Sequence, residues 1–188
     1  ATNVKELLAL AKARPGALNY ASGGSGGGAH LATELFKTMA GIDMMHIPYN
    51  GTSPGLLGVV GGQAQVMFAA VSAAMPHVQS GRLRALGVTG STRTASEPDI
   101  PTIAEAGVPG YEVLGWLGLG APAGLPPAIT EKLNAAVARA VRSPRMTEYM
   151  VKEGWQPMVM TPAEYTTFSN QEIEKWGKVV TDSGARVD

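Results

Sequence analysis

The sequence predicts an α/β protein on a mostly parallel sheet covered on both faces, and three observations lead there. Short apolar segments of strand length alternate with segments whose apolar residues recur at helical spacing. The predicted strands end in small or turn-forming residues, Ser22-Gly23, Asn50-Gly51, Ala69-Ala70 and Thr89-Gly90. In such a sheet those ends face the ligand. Glycine supplies 24 of 188 residues, about 13% against a usual ~7%. Five of the 24 stand together in the run from Gly23 to Gly28.

In chain order, a helix is expected from Thr2 to Arg14, with Thr2 as N-cap, Val4, Leu7, Leu8 and Ala11 at helical spacing and Pro15-Gly16 as the stop. A short strand, Leu18 to Ser22, runs into the loop Gly23-Gly24-Ser25-Gly26-Gly27-Gly28. A second helix, His30 to Ala40, carries Leu31, Leu35 and Met39 on one stripe and ends on Gly41. The unit then repeats as strand Met44 to Tyr49, helix from Ser53-Pro54 to Gly61-Gly62, strand Gln65 to Ala70, helix Ser72 to Ser80 and strand Leu83 to Thr89. A polar, proline-bearing stretch leads to Pro109-Gly110 and an apolar segment, Tyr111 to Ala121. The tail reads as helices Pro126 to Arg142, Pro144 to Glu153 and Thr161-Pro162 to Asp182, with a short strand near Pro157 to Met160. In the first of these helices Ile129, Leu133, Ala136, Val137 and Ala140 share a face. Such a tail is expected to pack on something larger. Residues 1–118 hold 7 basic and 7 acidic side chains and residues 119–188 hold 8 and 8, so the shorter part is almost twice as densely charged.

The chain balances 15 basic against 15 acidic side chains, contains no cysteine and is 45% hydrophobic. It can bury a core, and no apolar run approaches the ~18 residues of a membrane helix. Neutral charge provides no footprint for nucleic acid, and the missing cysteines exclude disulfides, thiolate zinc sites and thiol catalysis. No charged-then-apolar leader begins at Ala1, so any signal peptide lies outside the chain.

Gly23-Gly24-Ser25-Gly26-Gly27 matches G-x-S-x-G between a strand and a helix, the setting of a hydrolase nucleophile elbow at Ser25. The required acid and base would have to be Asp43 with His46 or His77, and Asp43 stands at the wrong end of its strand. Gly24, Gly26 and Ala29 also fit G-x-G-x-x-A, with Asp43 as the ribose acid, and fail on the same position. No Lys-Ser or Lys-Thr follows, which excludes a P-loop. A mobile linker is the bland alternative. The glycine motifs share one chemistry: converging amides and a helix N-terminus suit an anion, with Ser22 and Ser25 as hydroxyl donors. No lysine or arginine lies in the loop, which favours reversible binding over catalysis. His30 either donates to that anion or caps and packs. His46 reads as a satisfied structural histidine and His77 as part of a surface helix. No histidine pair has metal-ligand spacing. Met44, Met45, Met67 and Met75 read as core, Trp116 as core or hinge, and Trp155 and Trp176 as anchors of the tail.

At Tyr20-Ala21-Ser22, Gly24, Gly26, His30-Leu31, Glu34-Leu35-Phe36-Lys37 and Ala40-Gly41, the sequence resembles the Bug-type solute-binding receptors of tripartite tricarboxylate transporters. The resemblance continues at His46-Ile47-Pro48-Tyr49 with Gly51 and Pro54, Gly62-Gln63, Val66-Met67-Phe68, Gly81-Arg82-Leu83-Arg84-Ala85-Leu86, the run Pro101 to Gly110, Ala121-Pro122-Ala123-Gly124, Lys132-Leu133-Asn134 and Thr161-Pro162. It implies a type II periplasmic-binding-protein-like fold, with residues 1–118 as the second, complete lobe and 119–188 as the mostly helical C-terminal part of the first. The family's N-terminal segment and its Pro-Gly-Gly loop are missing, so self-association through the incomplete lobe is expected, and binding by this chain alone is expected to be weak or absent.

The resemblance further implies a periplasmic receptor without catalytic residues, cofactor or metal. It would bind a small mono-, di- or tricarboxylate and deliver it to the permease subunits of the transporter. Ser22, Gly23, Gly24, Ser25, Gly26 and Gly27 would hold one carboxylate, aided by His30, with Tyr49 and Ala69 lining the wall. A signalling or interaction module of the same fold is the remaining alternative. Three positions depart from the family pattern: Gly27 replaces a common serine, Asn50 a lysine, and Ala69 an aspartate able to pair with an ammonium group. The last favours plain carboxylates over amino acids.

Overall fold

The computed structural model describes residues 1–185. Its sheet has three parallel strands: β1 (Asn19–Ser22) lies between β2 (Met45–Pro48) and β3 (Val66–Met67). Tyr20 stands opposite His46 on one side and Val66 on the other, and Ser22 opposite Pro48. Tyr20, Ala21 and Ser22 are fully buried, as a central strand covered on both faces requires. Five helices belong with the sheet: α1 (Val4–Ala13), α2 (Gly28–Ala40), α3 (Thr52–Val60), α4 (Val71–Gln79) and the single turn α5 (Ile103–Ala106). Phe36 of α2 anchors the core, its ring 5.7 Å from Phe68 and 5.9 Å edge-on from Tyr111. The Tyr111 hydroxyl donates to the Ala32 carbonyl at 2.9 Å, tying a segment 79 residues distant onto α2.

Several expectations are corrected. The N-cap of α1 is Asn3, whose side chain accepts from the Glu6 amide at 2.9 Å, while Thr2 is occupied with the Glu6 carboxylate. Helix α3 begins at Thr52, one residue ahead of the expected Ser53, and its N-cap is Gly51, which turns at φ 110° and donates to the Gly23 carbonyl. Helix α2 starts two residues early, at Gly28. The stripe expected to be buried is half-buried at Leu31 and Leu35 and exposed at Met39. The buried face is instead His30, Ala32, Thr33, Glu34 and Phe36. The segment Leu83 to Thr89 forms no strand and keeps one bridge, Val88 to Thr102. Pro101 beside it has no amide hydrogen to extend a ladder, and Gly87 leaves no room for a side chain, since a Cβ there would lie 3.1 Å from Ile103. Nor is Pro157 to Met160 a strand; its Met160 carbonyl is taken by the Asn134 side chain at 2.8 Å.

The chain falls into two compact units, residues 1–114 with those from Lys178 on, and residues 115–177. The second is helical: α6 (Pro127–Val141), α7 (Pro144–Glu153) and most of α8 (Pro162–Ser183). Trp116 packs edge-on against Tyr165 and Phe168, and its indole shares the Glu172 carboxylate with that of Trp176. The Ile129, Leu133 and Val137 side chains of α6 are exposed. Among the described residues, no helix is long and apolar enough to cross a membrane.

Candidate functional site

The turns after β1 and β2 lie side by side at the carboxyl edge of the sheet and are stitched together by backbone. Tyr49 donates to the Ser22 carbonyl at 3.0 Å, and Gly51 to that of Gly23 at 3.0 Å. This approach is why Gly23 lacks a side chain: a Cβ there would lie 3.1 Å from the Gly51 carbonyl carbon and the Thr52 nitrogen. Gly24 and Gly26 have φ of 140° and 75°, conformations that side chains disfavour. The glycine run is therefore a shaped turn.

Beneath it lies a polar network. The Ser22 hydroxyl accepts from the Gly24 amide at 3.2 Å, donates to the Gly24 carbonyl at 3.1 Å and lies 2.6 Å from His46 Nε2. The Gly26 amide donates to His30 Nδ1 at 2.9 Å, and the Gly27 amide points to the Gly24 carbonyl at 3.4 Å. The rings of His30 and His46 stack at 4.1 Å, with Tyr20 4.8 Å beyond His46. The Tyr20 hydroxyl donates to Glu34 at 2.5 Å, and Lys37 holds both oxygens of that carboxylate at 2.8 and 3.2 Å. Burial first, and then the Glu34 carboxylate, push the Tyr20 hydroxyl well above its ordinary titration range, so it remains a donor.

These bonds divide the expected donors. Ser22 is fully buried and engaged, so its hydroxyl shapes the loop. His30 offers Nδ1 as an acceptor to the Gly26 amide. What faces outward is backbone. Gly27 is the N-cap of α2 and has no side chain to cap the first turn, and it stands with Gly28 on an exposed rim beside half-buried Ala29. Helices α3 and α4 also begin without a side-chain cap, at Gly51 and Ala70. Three helix N-termini with partial positive charge thus follow three adjacent strands. Tyr49 stands beside them, its hydroxyl donating to Gln63 at 3.1 Å and its ring covering Gly58, where a Cβ would collide with it. Ala69 is half-buried at the end of β3.

Ser25 stands at the loop's crest, half-buried. No described residue other than glycine has positive φ, so Ser25 lacks the strained backbone of a nucleophile elbow. Asp43 lies near Gly16 and 4.0 Å from Lys37, before β2, at the amino edge of the sheet. That position removes it from both the triad and the ribose site. Sequence reasoning missed Glu34 and Tyr20 as the base of the network. The signal available was the His30–Glu34 spacing of four, which places both on one helix face. Among the described residues, no group of three or more metal-ligating side chains gathers.

A model of the tripartite tricarboxylate transporter family receptor matches residues 1–185. Protein BugT of Bordetella pertussis is 35% identical over 181 residues, which are 96% of this chain and 56% of BugT. An R. palustris protein solved with adipate is 36% identical at a TM-score of 0.89, covering 100% of this chain and 63% of its own. MatC of Rhodopseudomonas palustris, solved with bound malate, is 31% identical at a TM-score of 0.80, covering 95% of this chain and 62% of its own. The chain spans a little over half the length of such curated relatives. Its α/β fold with a parallel sheet is the one found in these solved relatives, and the match over nearly every residue places the chain in the tripartite tricarboxylate transporter receptor family.

Proposed function

We propose that the chain is the ligand-binding part of a periplasmic receptor that holds a small organic carboxylate for a tripartite tricarboxylate transporter and catalyses nothing. The observation that carries this reading is the carboxyl edge of the sheet. A glycine turn and three helix N-termini without side-chain caps present neutral N–H donors, with no lysine or arginine in the loop. Such donors stabilise a carboxylate by about 0.3–1 kcal/mol per helix end at exposed sites, which suits a ligand that must leave again.

The Gly23–Ala29 segment, with the Ser25 hydroxyl, takes the carboxylate. Ser22 and His30 hold the segment in shape, and Tyr49 and Ala69 form the wall. Adipate and malate, the ligands of the two solved relatives, make dicarboxylates the first class to test. The absence of an acid at Ala69 disfavours amino acids. Further donors and the surface read by the permease subunits belong to the part of the family's length that this chain does not span, which closes over the ligand as in other hinged receptors. The exposed apolar face of α6 supports self-association when that part is missing.

Isothermal titration of the full reading frame with mono-, di- and tricarboxylates tests the proposal. Saturable heat with at least one of them is expected, and none with any overturns it. Turnover of a p-nitrophenyl ester that vanishes in Ser25→Ala would favour a hydrolase instead.

A further inference from the structure

We infer that His30 is the positioning residue of the glycine loop: its unprotonated Nδ1 holds the Gly26 amide in place, and a proton on that nitrogen releases the loop. An amide can only donate, so the 2.9 Å bond from Gly26 requires a lone pair on Nδ1 and puts the neutral ring's hydrogen on Nε2. Gly26 at φ 75° is the pivot between Ser25 and the first turn of α2. Fixing its amide therefore fixes the direction of the Gly27, Gly28 and Ala29 backbone.

The groups facing His30 come from three elements. Strand β1 supplies the Tyr20 ring, 6.2 Å away, and Ser22; β2 supplies the His46 ring at 4.1 Å, nearly parallel at 9°. Helix α2 itself supplies Glu34, one turn on, whose carboxylate is occupied by the Tyr20 hydroxyl and Lys37, and Lys37 lies 4.0 Å from Asp43. The Ser22 hydroxyl lies 2.6 Å from His46 Nε2 whichever of the two donates, whereas His30 cannot keep Gly26 once Nδ1 is protonated.

The consequence for affinity rests on the carboxylate reading above; the consequence for the loop does not. Nitrogen-15 NMR of the whole chain at pH 8, without ligand, is expected to show His30 in its Nε2–H form. On acidification the Gly26 amide resonance moves in step with protonation of His30. A hydrogen on Nδ1 at pH 8, or an imidazole that takes up its proton without moving Gly26, overturns the inference. His30→Asn keeps an acceptor near Nδ1 and should retain the Gly26 shift and lose its acid response. His30→Leu should lose the shift and, in the carboxylate titration of the full reading frame, bind about five- to tenfold more weakly, the worth of one ordering hydrogen bond. Binding by His30→Leu equal to the parent protein's also overturns it. If no variant binds any carboxylate, the receptor reading fails, while the Gly26 resonance still decides the role of His30.

Discussion

Replacing Tyr20 with phenylalanine removes one oxygen from the base of the site and leaves the stacked ring. Tyr20 is fully buried and Glu34 6% exposed, so neither finds water as a substitute partner. A hydrogen bond to a charged acceptor contributes about 1.5–3 kcal/mol. Lys37 still holds both oxygens of the carboxylate at 2.8 and 3.2 Å, so the charge keeps its ion-pair partner and the loss stays short of the roughly 3–5 kcal/mol of a broken buried pair. Tyr20→Phe should thus destabilise by about 2 kcal/mol, lowering the melting temperature by roughly 4–8 °C for a chain of this size. Urea denaturation and thermal melts followed by circular dichroism measure both. Tyr49→Phe is the control, because its half-exposed hydroxyl bonds Gln63 beside solvent and should cost under about 0.5 kcal/mol. A Tyr20→Phe protein within about 0.5 kcal/mol of the parent, or one no worse than Tyr49→Phe, would refute a buried charged acceptor at Glu34.

Two further outcomes follow from the same geometry. Gly24→Ala forces a side chain into φ 140° and should cost about 1–3 kcal/mol while disrupting the Ser22–Gly24 turn, seen as lost stability together with shifted loop resonances. Acid should erode stability in a defined sense. Backbone amides, chiefly those of Thr2, Thr102 and Thr161, hold the carboxyls of Glu6, Glu105 and Glu164 below the ordinary carboxylate range, with the hydroxyls of Thr2 and Thr161 and the Arg93 guanidinium assisting. Folded values below the unfolded ones mean that this stability is present above the ordinary range and lost as pH falls through it. Glu105→Gln should flatten that part of the curve in urea titrations at successive pH values.

How much of this was legible in the sequence depended on the range over which each interaction is decided. The strand, glycine turn and helix from Asn19 to Ala40 were readable because glycines and Gly41 act locally: Gly41 ends α2 at φ 61°, as its position suggested. The buried face of α2 was misread for the opposite reason. Leu31, Leu35 and Met39 make the better apolar stripe, yet His30, Thr33 and Glu34 turn inward because Tyr20 and Gly26 satisfy two of them and Thr33 bonds the Ala29 carbonyl at 2.7 Å. The Ser22–His46 contact joins two strands across 24 residues, and no spacing rule reveals it. Leu83 to Thr89 has a strand's composition, but a strand exists only through its partner. Here the pairing stops at the Val88–Thr102 bridge, where the Val88 amide reaches the Pro101 carbonyl but proline has no amide hydrogen to give in return.

The central claim is that the Gly23–Ala29 backbone receives a carboxylate. Amide NMR of the chain with adipate or malate, at concentrations high enough to register weak binding, tests it most directly. The amides of Gly23 to Ala29 should shift together and saturate, while the corresponding uncharged diamide leaves them in place. Shifts confined to other parts of the chain, or equal shifts with the diamide, would contradict the account.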